Sequence, residues 1–518
     1  MVETRGMKRR ARTVDYISPL PDAILLHILS FLPVRDWIVV SCISKRWRNL
    51  WTQISNLTLT ELETIRPLIS KNKCPICRAL PSPNSTSCKL HIIEAARIKF
   101  GNSVDRILLL HSGCTINKFH LSLNYELEGW HSRRIDTWLK LAFTSNIEQI
   151  ELSFYDRKME VYLRRHGFHR RHAYQTQLYE IPHHNVSPRL LNSLTLHHCK
   201  FKVSSFKRFE SLRRLVLKQV ILHDTSVTLL ASRCPALEDL HLELCIISHD
   251  FLVREEDLMI KRLLLDRCRP QDMLTIQMAI STPQLESLTI VGCFATTPYV
   301  GKVTKPLHAL IDIRTIVDNS RMNEQGINLT SFLAGLQSCR SLRLTSWSIQ
   351  ALPAEGIMIR QPLVLFPHLI HLSLAVGLGK QELPSIVDLI WRCKNLEALT
   401  IEVHKYLSSV GLNNQEHANQ VIPGFDEDNF WQSQDWPYCC LQTRLKRVIM
   451  TGFTGTKHEM NILHFLLAKA DVLERVSISY TLKNIEPSIL GQKVIHEIMW
   501  YDRTSKAAQL WITPHPPK

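Results

Sequence analysis

Two pairs of metal-binding side chains lie close together in the first hundred residues. Cys74 and Cys77 form a Cys-x2-Cys pair, and after ten intervening residues Cys88 and His91 form a Cys-x2-His pair. Thiolates and an imidazole at this spacing can close a tetrahedron around Zn²⁺. Against such a site, residues 81–87 read as a polar linker rich in Ser and Pro. We predict no bound metal or other cofactor, and zinc binding by these four residues is the alternative.

The familiar catalytic motifs are absent from the sequence. No G-x-S-x-G elbow, G-x-x-x-x-G-K-[ST] loop, H-E-x-x-H helix or G-x-G-x-x-G turn occurs anywhere in the 518 residues. These motifs hold, in turn, a nucleophile, a phosphate, a metal and a dinucleotide. We therefore predict that the chain has no catalytic residues and is not an enzyme, with a hydrolase as a distant alternative.

The composition is that of a globular protein of two or more domains. It is 45% hydrophobic and 21% charged. No secretory signal opens the chain, and no stretch approaches the roughly 18 uninterrupted apolar residues of a membrane span. The 14 cysteines are therefore expected to be free thiols in a reducing compartment. We predict an intracellular protein of the nucleus and/or cytoplasm, with no membrane partner.

The net charge of +16 comes mostly from scattered Lys and Arg, a distribution that does not favour nucleic acid. Two segments are locally rich in basic residues. Residues 1–14 form a basic tail that we expect to be disordered, and residues 157–189 form a loop rich in Arg and His. We interpret this loop as a solvated surface insertion, and a patch for an acidic partner is the alternative.

The clearest pattern near the start of the chain is that of amphipathic helices. Pro21 suits the first turn of a helix, and Asp22 adds negative charge where the helix dipole is positive. Apolar residues then recur at three- and four-residue steps, at Ile24, Leu25, Ile28, Leu29 and Leu32. A unit of fewer than about forty residues rarely buries enough apolar area to fold alone. The surplus of apolar surface predicts a partner or a docked neighbour, and a core helical hairpin is the alternative.

The order of these residues resembles the F-box of plant proteins. The matching segments are Leu20-Pro21-Asp22, Phe31-Leu32-Pro33 and Ser44-Lys45-Arg46-Trp47-Arg48, within residues 15–55. The resemblance implies a three-helix module that docks on a Skp-type adaptor and, through it, on a cullin ubiquitin ligase. The pair Val39-Val40 departs from the family, in which a more polar pair is usual. By resemblance, the adaptor contact comprises Leu20, Pro21, Ile24, Leu25, Ile28, Leu32 and Trp47.

A repeated pattern, L-x-x-L-x-L-x-x-N/C, organises most of the remaining sequence. Its clearest copies start 21 to 25 residues apart, at Leu191, Leu212, Leu237, Ile260 and Leu285. These are leucine-rich repeats, in which each unit supplies one strand of a parallel sheet and a helical or irregular return. We predict an α/β fold in which the opening module and a linker at 56–100 precede a solenoid of such repeats at 101–438.

The repeat also predicts which side chains are buried and which are open. Alternate strand residues face the core, and the position three after the last strand leucine is a small buried niche, which Cys199 and Cys245 would fill. The intervening residues line the concave face of the solenoid, where they can contact a target protein. From their mixed charge we select as candidate target-binding residues Arg214, Asp239, His241 and Arg262.

The last eighty residues, 439–518, resemble the FBD region of plant F-box proteins. The similar segments include Leu445-Lys446-Arg447-Val448 and Gly452-Phe453-Thr454-Gly455. An F-box, leucine-rich repeats and an FBD region occur together in one plant class. The resemblance implies a substrate-recognition subunit of a Skp-cullin-F-box ubiquitin ligase, with a target protein bound by the repeats. The alternative is a repeat scaffold, or a protein that binds nucleic acid or an acidic partner, without a role in ubiquitin ligation.

Overall fold

The computed structural model of the chain falls into two units. The first comprises Met1–Lys200 and Ser205–Glu210, and the second comprises Phe201–Ser204 and Ser211–Lys518. Among the described residues, no helix has the length and apolar character needed to cross a bilayer. The structure describes residues 16–17, 19–32, 34–42, 44–70, 86–111, 116–125, 131–144, 146–155, 178–181, 189–205, 208–222, 229–230, 233–247, 250–253, 259–270, 277–292, 297–301, 303–313, 329–330, 332–350, 352, 366–379, 382–404, 430–431, 438–480 and 496–514.

Three short helices form the opening module of the first unit, as the sequence predicts. They are α1 (Asp22–Ser30), α2 (Val34–Ser41) and α3 (Lys45–Leu50), and a 3-10 turn at Trp51–Gln53 follows. Pro21 stands at the N-cap of α1 in an extended conformation, so its missing N–H costs no hydrogen bond. Ser44 caps α3, because its hydroxyl accepts a hydrogen bond from the Trp47 amide.

Two tryptophans hold the end of α1 against the rest of the module. The indole of Trp37 donates to the carbonyls of Leu29 and Leu32 at 3.0 and 3.1 Å, which satisfies acceptors that the helix leaves open. Its ring stacks on Trp51 with centroids 6.3 Å apart, and Trp51 packs in turn against His111. Burial lowers the pKa of His111, so this imidazole is uncharged at neutral pH.

The rest of the first unit begins the repeat architecture earlier than predicted. After β1 (Asn56–Thr60) come α4 (Glu61–Ser70), α5 (Thr86–Leu110), β2 (Lys118–Ser122), α6 (His131–Thr144), β3 (Gln149–Ser153), β4 (Tyr179–Glu180), β5 (Ser193–His197) and β6 (Cys199–Lys200). Strand β1 pairs in parallel with β2, which pairs with β3, which pairs with β5. The predicted linker at 56–100 is therefore wrong, because it contains a sheet strand, α4 and most of α5.

The second unit continues with one parallel strand per repeat. Its main sheet runs in the order β7 (Arg214–Lys218), β9 (Asp239–Glu243), β12 (Arg262–Asp266), β15 (Ser287–Gly292), β17 (Leu307–Ile313), β18 (Cys339–Thr345), β19 (His371–Val376), β20 (Ala398–Val403), β21 (Arg447–Phe453), β22 (Arg475–Tyr480) and β23 (Gln509–Pro514). The last three strands belong to the FBD-like segment and pair in register with the sheet. Parallel strands linked by returns give the predicted α/β class.

The returns between these strands are partly extended and partly helical. Short parallel strands line the first returns, at β8 (Ile221–Leu222), β10 (Ile246–Ile247), β11 (Phe251–Val253), β13 (Arg269–Pro270), β14 (Gln277–Ile280) and β16 (Thr297–Val300). The later returns include helices α7 (Ser346–Gln350), α8 (Leu383–Arg392), α9 (Cys439–Thr443) and α10 (Lys457–Lys469). Helix α8 buries seven of its residues, so these helices cover the closed side of the sheet.

The predicted niche is present after β9 and β12, with the same geometry at both. Cys245 and Cys268 are buried, and their thiols donate to the carbonyls of Leu217 and Leu242 in the preceding strand. The residue before each niche, Leu244 or Arg267, adopts a left-handed conformation with φ of 53° or 48°. This left-handed residue turns the chain sharply after the strand, and a small buried thiol fits inside the turn.

Gly452 is the glycine at which added bulk has the clearest cost. It lies at a register irregularity of β21 with φ of 72°, and a Cβ there would lie 2.2 Å from the backbone oxygen of Val403. We expect Gly452→Ala to lower the free energy of unfolding by about 2 kcal/mol or more, because left-handed strain and a backbone clash add. Denaturant unfolding measures the change. The neighbouring Thr451→Ala should stay within about 0.5 kcal/mol, and equal stability of both variants would contradict the prediction.

Candidate functional site

A group of large apolar side chains is exposed on the opening module. Ile24 and Ile28 are one helical turn apart on α1 and are 46% and 39% exposed, and Phe31 follows at 75%. Val39 on α2 and Ile17 before α1 are also exposed. Exposed apolar side chains grouped on one small module are a candidate contact surface. We call this group the module surface: Ile17, Ile24, Ile28, Phe31 and Val39.

The structure divides the predicted adaptor-contact residues into surface and core. Pro21, Ile24 and Ile28 are exposed, and Leu20 and Leu32 are half-buried. Leu25 and Trp47 are buried, together with Leu29 of the same stripe, because α1 packs on α3. Leu25 and Trp47 therefore support the module from inside and offer no surface for a contact. Phe31 and Ile17, which are not among the predicted contact residues, are exposed on the folded module.

An arginine fixes the start of α1 beneath this surface. The Arg46 guanidinium donates to the Asp22 carboxylate through Nε at 2.7 Å and to the Leu20 carbonyl through Nη2 at 2.6 Å. It thereby ties α3 to the first turn of α1. A planar donor that holds two acceptors at once restricts orientation more than a single bond does. The Leu-Pro-Asp segment is thus presented in one defined position.

The predicted target-binding residues lie on the open face of the second unit, which we define as the strand side chains that point away from the core. Arg214, Asp239 and Arg262 are register partners on β7, β9 and β12. Arg262 forms an ion pair with Asp239, with Nε to Oδ1 at 2.6 Å and Nη2 to Oδ2 at 2.7 Å. The structure thus brings three of the four residues together, but two of them neutralise each other.

His241 lies two residues further along β9 than Asp239, on the same face of the strand. It is half-buried opposite Val216 and Leu264. Burial lowers its pKa, the nearby Lys218 lowers it further, and Glu243 opposes the shift. His241 is therefore an uncharged imidazole at neutral pH.

Other cations of the open face are also paired with carboxylates. Lys218 contacts Glu243 at 2.9 Å, and Arg343 makes two hydrogen bonds to Glu402 at 2.8 and 2.6 Å. Paired charges leave little net field for a phosphate backbone, which calls for clustered unpaired cations. Among the described strand residues of the second unit, no ion pair joins Arg214, Arg447 or Arg475 to a carboxylate. Arg447 and Arg475 were not among the residues predicted from the sequence.

The open face of the first unit carries an ion-pair cluster of its own. Glu151 on β3 lies 3.1 Å from His120 Nδ1 and 3.5 Å from Lys118 Nζ, both on β2. The hydrogen bond from His120 is the main reason that the pKa of Glu151 falls to about 2, although partial burial opposes the fall. The cluster therefore stabilises the ionised carboxylate.

This shift predicts a specific acid sensitivity. Because the folded pKa of Glu151 lies below the unfolded value, its stabilisation is complete above pH of about 4.5 and is lost as pH falls toward about 2. We expect Glu151→Gln to lower the melting temperature at about pH 6. Between about pH 6 and pH 3, the melting temperature of the variant should fall less than that of the unmutated protein. Thermal scans across that range measure it. The control is Glu148→Gln, at an exposed carboxylate of the same unit. If its melting temperature also fell less than that of the unmutated protein, the acid sensitivity could not be assigned to Glu151.

Nine cysteines of the described segments are free thiols. Burial raises the pKa of three of them, Cys234, Cys339 and Cys440, to about 12. Such thiols stay protonated at neutral pH and are poor nucleophiles and poor metal ligands. Within the described part of the chain, no three His, Cys, Asp or Glu side chains are placed to hold a metal ion.

Two sequence predictions fall on residues that the structure does not describe. Cys74 and Cys77, half of the alternative zinc set, lie outside the described residues. Most of the basic loop at 157–189 lies outside them as well, as does the tail at 1–14. These predictions stay predictions.

Comparison with known proteins adds two family matches. The family model of the At1g61320/AtMIF1 leucine-rich-repeat domain matches residues 107–496, and the F-box domain model matches residues 17–58. The F-box/FBD/LRR-repeat protein At1g13570 of Arabidopsis thaliana is 24% identical over 96% of this chain and 98% of its own length. The F-box/LRR-repeat protein At3g59190 of the same plant is 25% identical over 76% of this chain and 94% of its own length.

Proposed function

Because the chain belongs to the plant F-box/leucine-rich-repeat family, we propose that it is the substrate-recognition subunit of a Skp-cullin-F-box ubiquitin ligase. In this proposal the opening module binds a Skp-type adaptor, which connects it to the cullin. The repeats bind the target protein. The chain supplies no catalytic group of its own, and ubiquitin transfer is the work of other subunits. We place this activity inside the cell, in the nucleus and/or cytoplasm.

The single observation that carries the proposal is the module surface. Ile24, Ile28 and Phe31 are exposed although the module already has its own core, built on Leu25, Leu29 and Trp47. Apolar residues one turn apart on an exposed helix are the form in which helices bind hydrophobic grooves. The module therefore has its own core and still leaves apolar side chains uncovered. An adaptor with an apolar groove would cover them.

The open face supports the assignment of target binding to the repeats. Its outward side chains come from eleven successive strands of the second unit, so that many weak contacts can add along one surface. Its charges include Arg262 with Asp239 and Arg343 with Glu402, which are paired within the protein. A mixed and largely neutralised surface suits a protein partner better than it suits a polyanion.

Capture of a recombinant Skp-type adaptor by the full chain tests the proposal. We expect a complex that survives washing at both about 0.15 M and about 1 M salt, because an apolar contact is not screened. A chain that starts at residue 56 should lose the adaptor. Adding cullin, its RING partner and the ubiquitin-charging enzymes should then modify proteins that co-purify with the repeats. Absence of adaptor binding, or binding that vanishes at the higher salt, would contradict the proposal and favour a charge-driven scaffold.

A further inference from the structure

The last three strands of the second unit present a group of exposed side chains with an unusual composition. Arg447 and Ile449 point outward from β21, Arg475 from β22 and Trp511 from β23. Ile449 is 39% exposed and Trp511 is 49% exposed. Strand pairing places Arg447 beside Arg475 and aligns Ile449 with Trp511, with one strand between them. We call these four residues the C-terminal patch.

The aromatic and cationic parts of the patch are in direct contact. The guanidinium carbon of Arg475 lies 4.9 Å from the centre of the Trp511 ring, and its Nε donates to the Ser477 hydroxyl at 3.2 Å. The cation–π contact and the hydrogen bond hold this arginine in one orientation over the ring. Less side-chain freedom is then lost when a ligand binds. The patch is thus partly preorganised.

The charges of the patch lack the compensation found elsewhere on the open face. Arg262, Lys218 and Arg343 each contact a carboxylate, whereas no ion pair joins Arg447 or Arg475 to an acidic side chain in the described part of the second unit. The two arginines are direct neighbours on adjacent strands, an arrangement that repulsion destabilises. Burial lowers the pKa of His371, and the positive charge of Arg447 lowers it further. An anionic ligand would relieve this local cost.

We propose that the C-terminal patch binds an acidic segment of the target protein, with carboxylates on Arg447 and Arg475 and an apolar side chain on Ile449 and Trp511. That the acidic segment belongs to a target protein rests on the proposed function, but the binding chemistry of the patch does not. Carboxylates are the natural partners of a guanidinium fork. Trp and Arg are the residue types that dominate binding energy at protein interfaces. A polyanion such as nucleic acid would gain little from two cations beside an aliphatic residue.

Fluorescence anisotropy with the full chain tests the inference directly. The probe is a labelled peptide that alternates Asp and Glu with Leu and Phe, and its control replaces each acid by the matching amide. We expect saturable binding of the acidic peptide and much weaker binding of the amide peptide. The double variant Arg447→Glu/Arg475→Glu, and separately Trp511→Ala, should each weaken binding at least about 30-fold, as loss of a hot spot does.

A matched variant separates this patch from general charge effects. Arg340→Glu changes an exposed arginine of the same unit, on β18, three strands before β21. It should leave peptide affinity within about twofold. All variants are checked for an unchanged unfolding midpoint and unchanged adaptor capture. Lack of saturable binding, equal weakening by Arg340→Glu, or tighter binding of a single-stranded oligonucleotide of the same charge would each overturn the inference.

The same measurements keep this inference apart from the proposed function. Peptide binding that persists in a chain unable to capture the adaptor would support the patch and count against the ligase role. Adaptor capture without peptide binding would support the ligase role and count against the patch. The patch variants lie on β21, β22 and β23 and leave the opening module unchanged. Each result therefore bears on one of the two proposals alone.

Discussion

Replacing Ile28 by aspartate should abolish capture of a Skp-type adaptor while the fold is retained. Ile28 is 39% exposed, one turn from Ile24 and close in sequence to the exposed Phe31. In the proposed complex its side chain is buried in an apolar groove, where an unpaired carboxylate costs several kcal/mol. The loss of a central contact adds about 2 kcal/mol. Together these exceed about 4 kcal/mol, so affinity measured by surface binding should fall about a thousandfold.

Two further variants make this result specific. Ile98→Asp places the same charge at a helical isoleucine of the same unit that is 43% exposed, and it should not change adaptor affinity. Leu29→Asp places it at a fully buried position of α1 and should unfold the module, with a visible loss of helical signal. The docking assignment fails if Ile28→Asp still captures the adaptor, or if Ile98→Asp weakens capture as much.

Apolar spacing predicted the helices of the opening module but not which residues face outward. Ile24, Leu25, Ile28 and Leu29 form one broad stripe in the sequence. In the structure the stripe divides, because Leu25 and Leu29 are fully buried while Ile24 and Ile28 are exposed. Periodicity defines a helical face but not the position of the helices that pack on it. The division follows from the docking of α3, which only tertiary structure shows.

The repeats were more predictable, because their pattern directly encodes alternate burial along a strand. Leucines of the clear copies are buried, and Cys199 and Cys245 fill the niche as expected. The first repeat strand escaped notice although Ile54, Leu57 and Leu59 fill its first three apolar positions, because Leu62 stands where the pattern has Cys or Asn. A single copy without that closing residue is too short a signal to separate a strand from a linker.

Contacts between neighbouring repeats could not be obtained from the pattern. Asp239 and Arg262 are 23 residues apart and meet only because their strands pair in register. Arg447 and Arg475 become neighbours for the same reason. Because return lengths vary, the register is a property of the stacked sheet and not of one repeat. Selecting the target-binding residues by type alone therefore included an ion pair that is already satisfied.

A second feature hidden from the sequence pattern is a buried carboxylate at the exit of a strand. Glu382 accepts hydrogen bonds from the amides of Gly377 and Gly379 at 3.1 and 2.9 Å. Glu459 does the same for Thr454 and Gly455 at 2.7 and 2.8 Å, and it also accepts from the Thr454 hydroxyl. Each glutamate thus closes the loop that joins a strand to its helix, β19 to α8 or β21 to α10.

Loss of the Glu459 carboxylate should therefore open the loop after β21. In Glu459→Ala two backbone amides and a hydroxyl are left without partners at a site that is 2% exposed. Each unsatisfied group costs about 1–3 kcal/mol, so we expect a loss of about 3 kcal/mol or more in unfolding free energy. Hydrogen exchange should rise across residues 452–460, since the loop is released locally before the unit unfolds. The control Glu474→Ala, at an exposed carboxylate on the turn between α10 and β22, should stay within about 0.5 kcal/mol. Because β21 carries Arg447 and Ile449, Glu459→Ala should also weaken binding of the acidic peptide. Normal exchange in this loop would show that the carboxylate is dispensable.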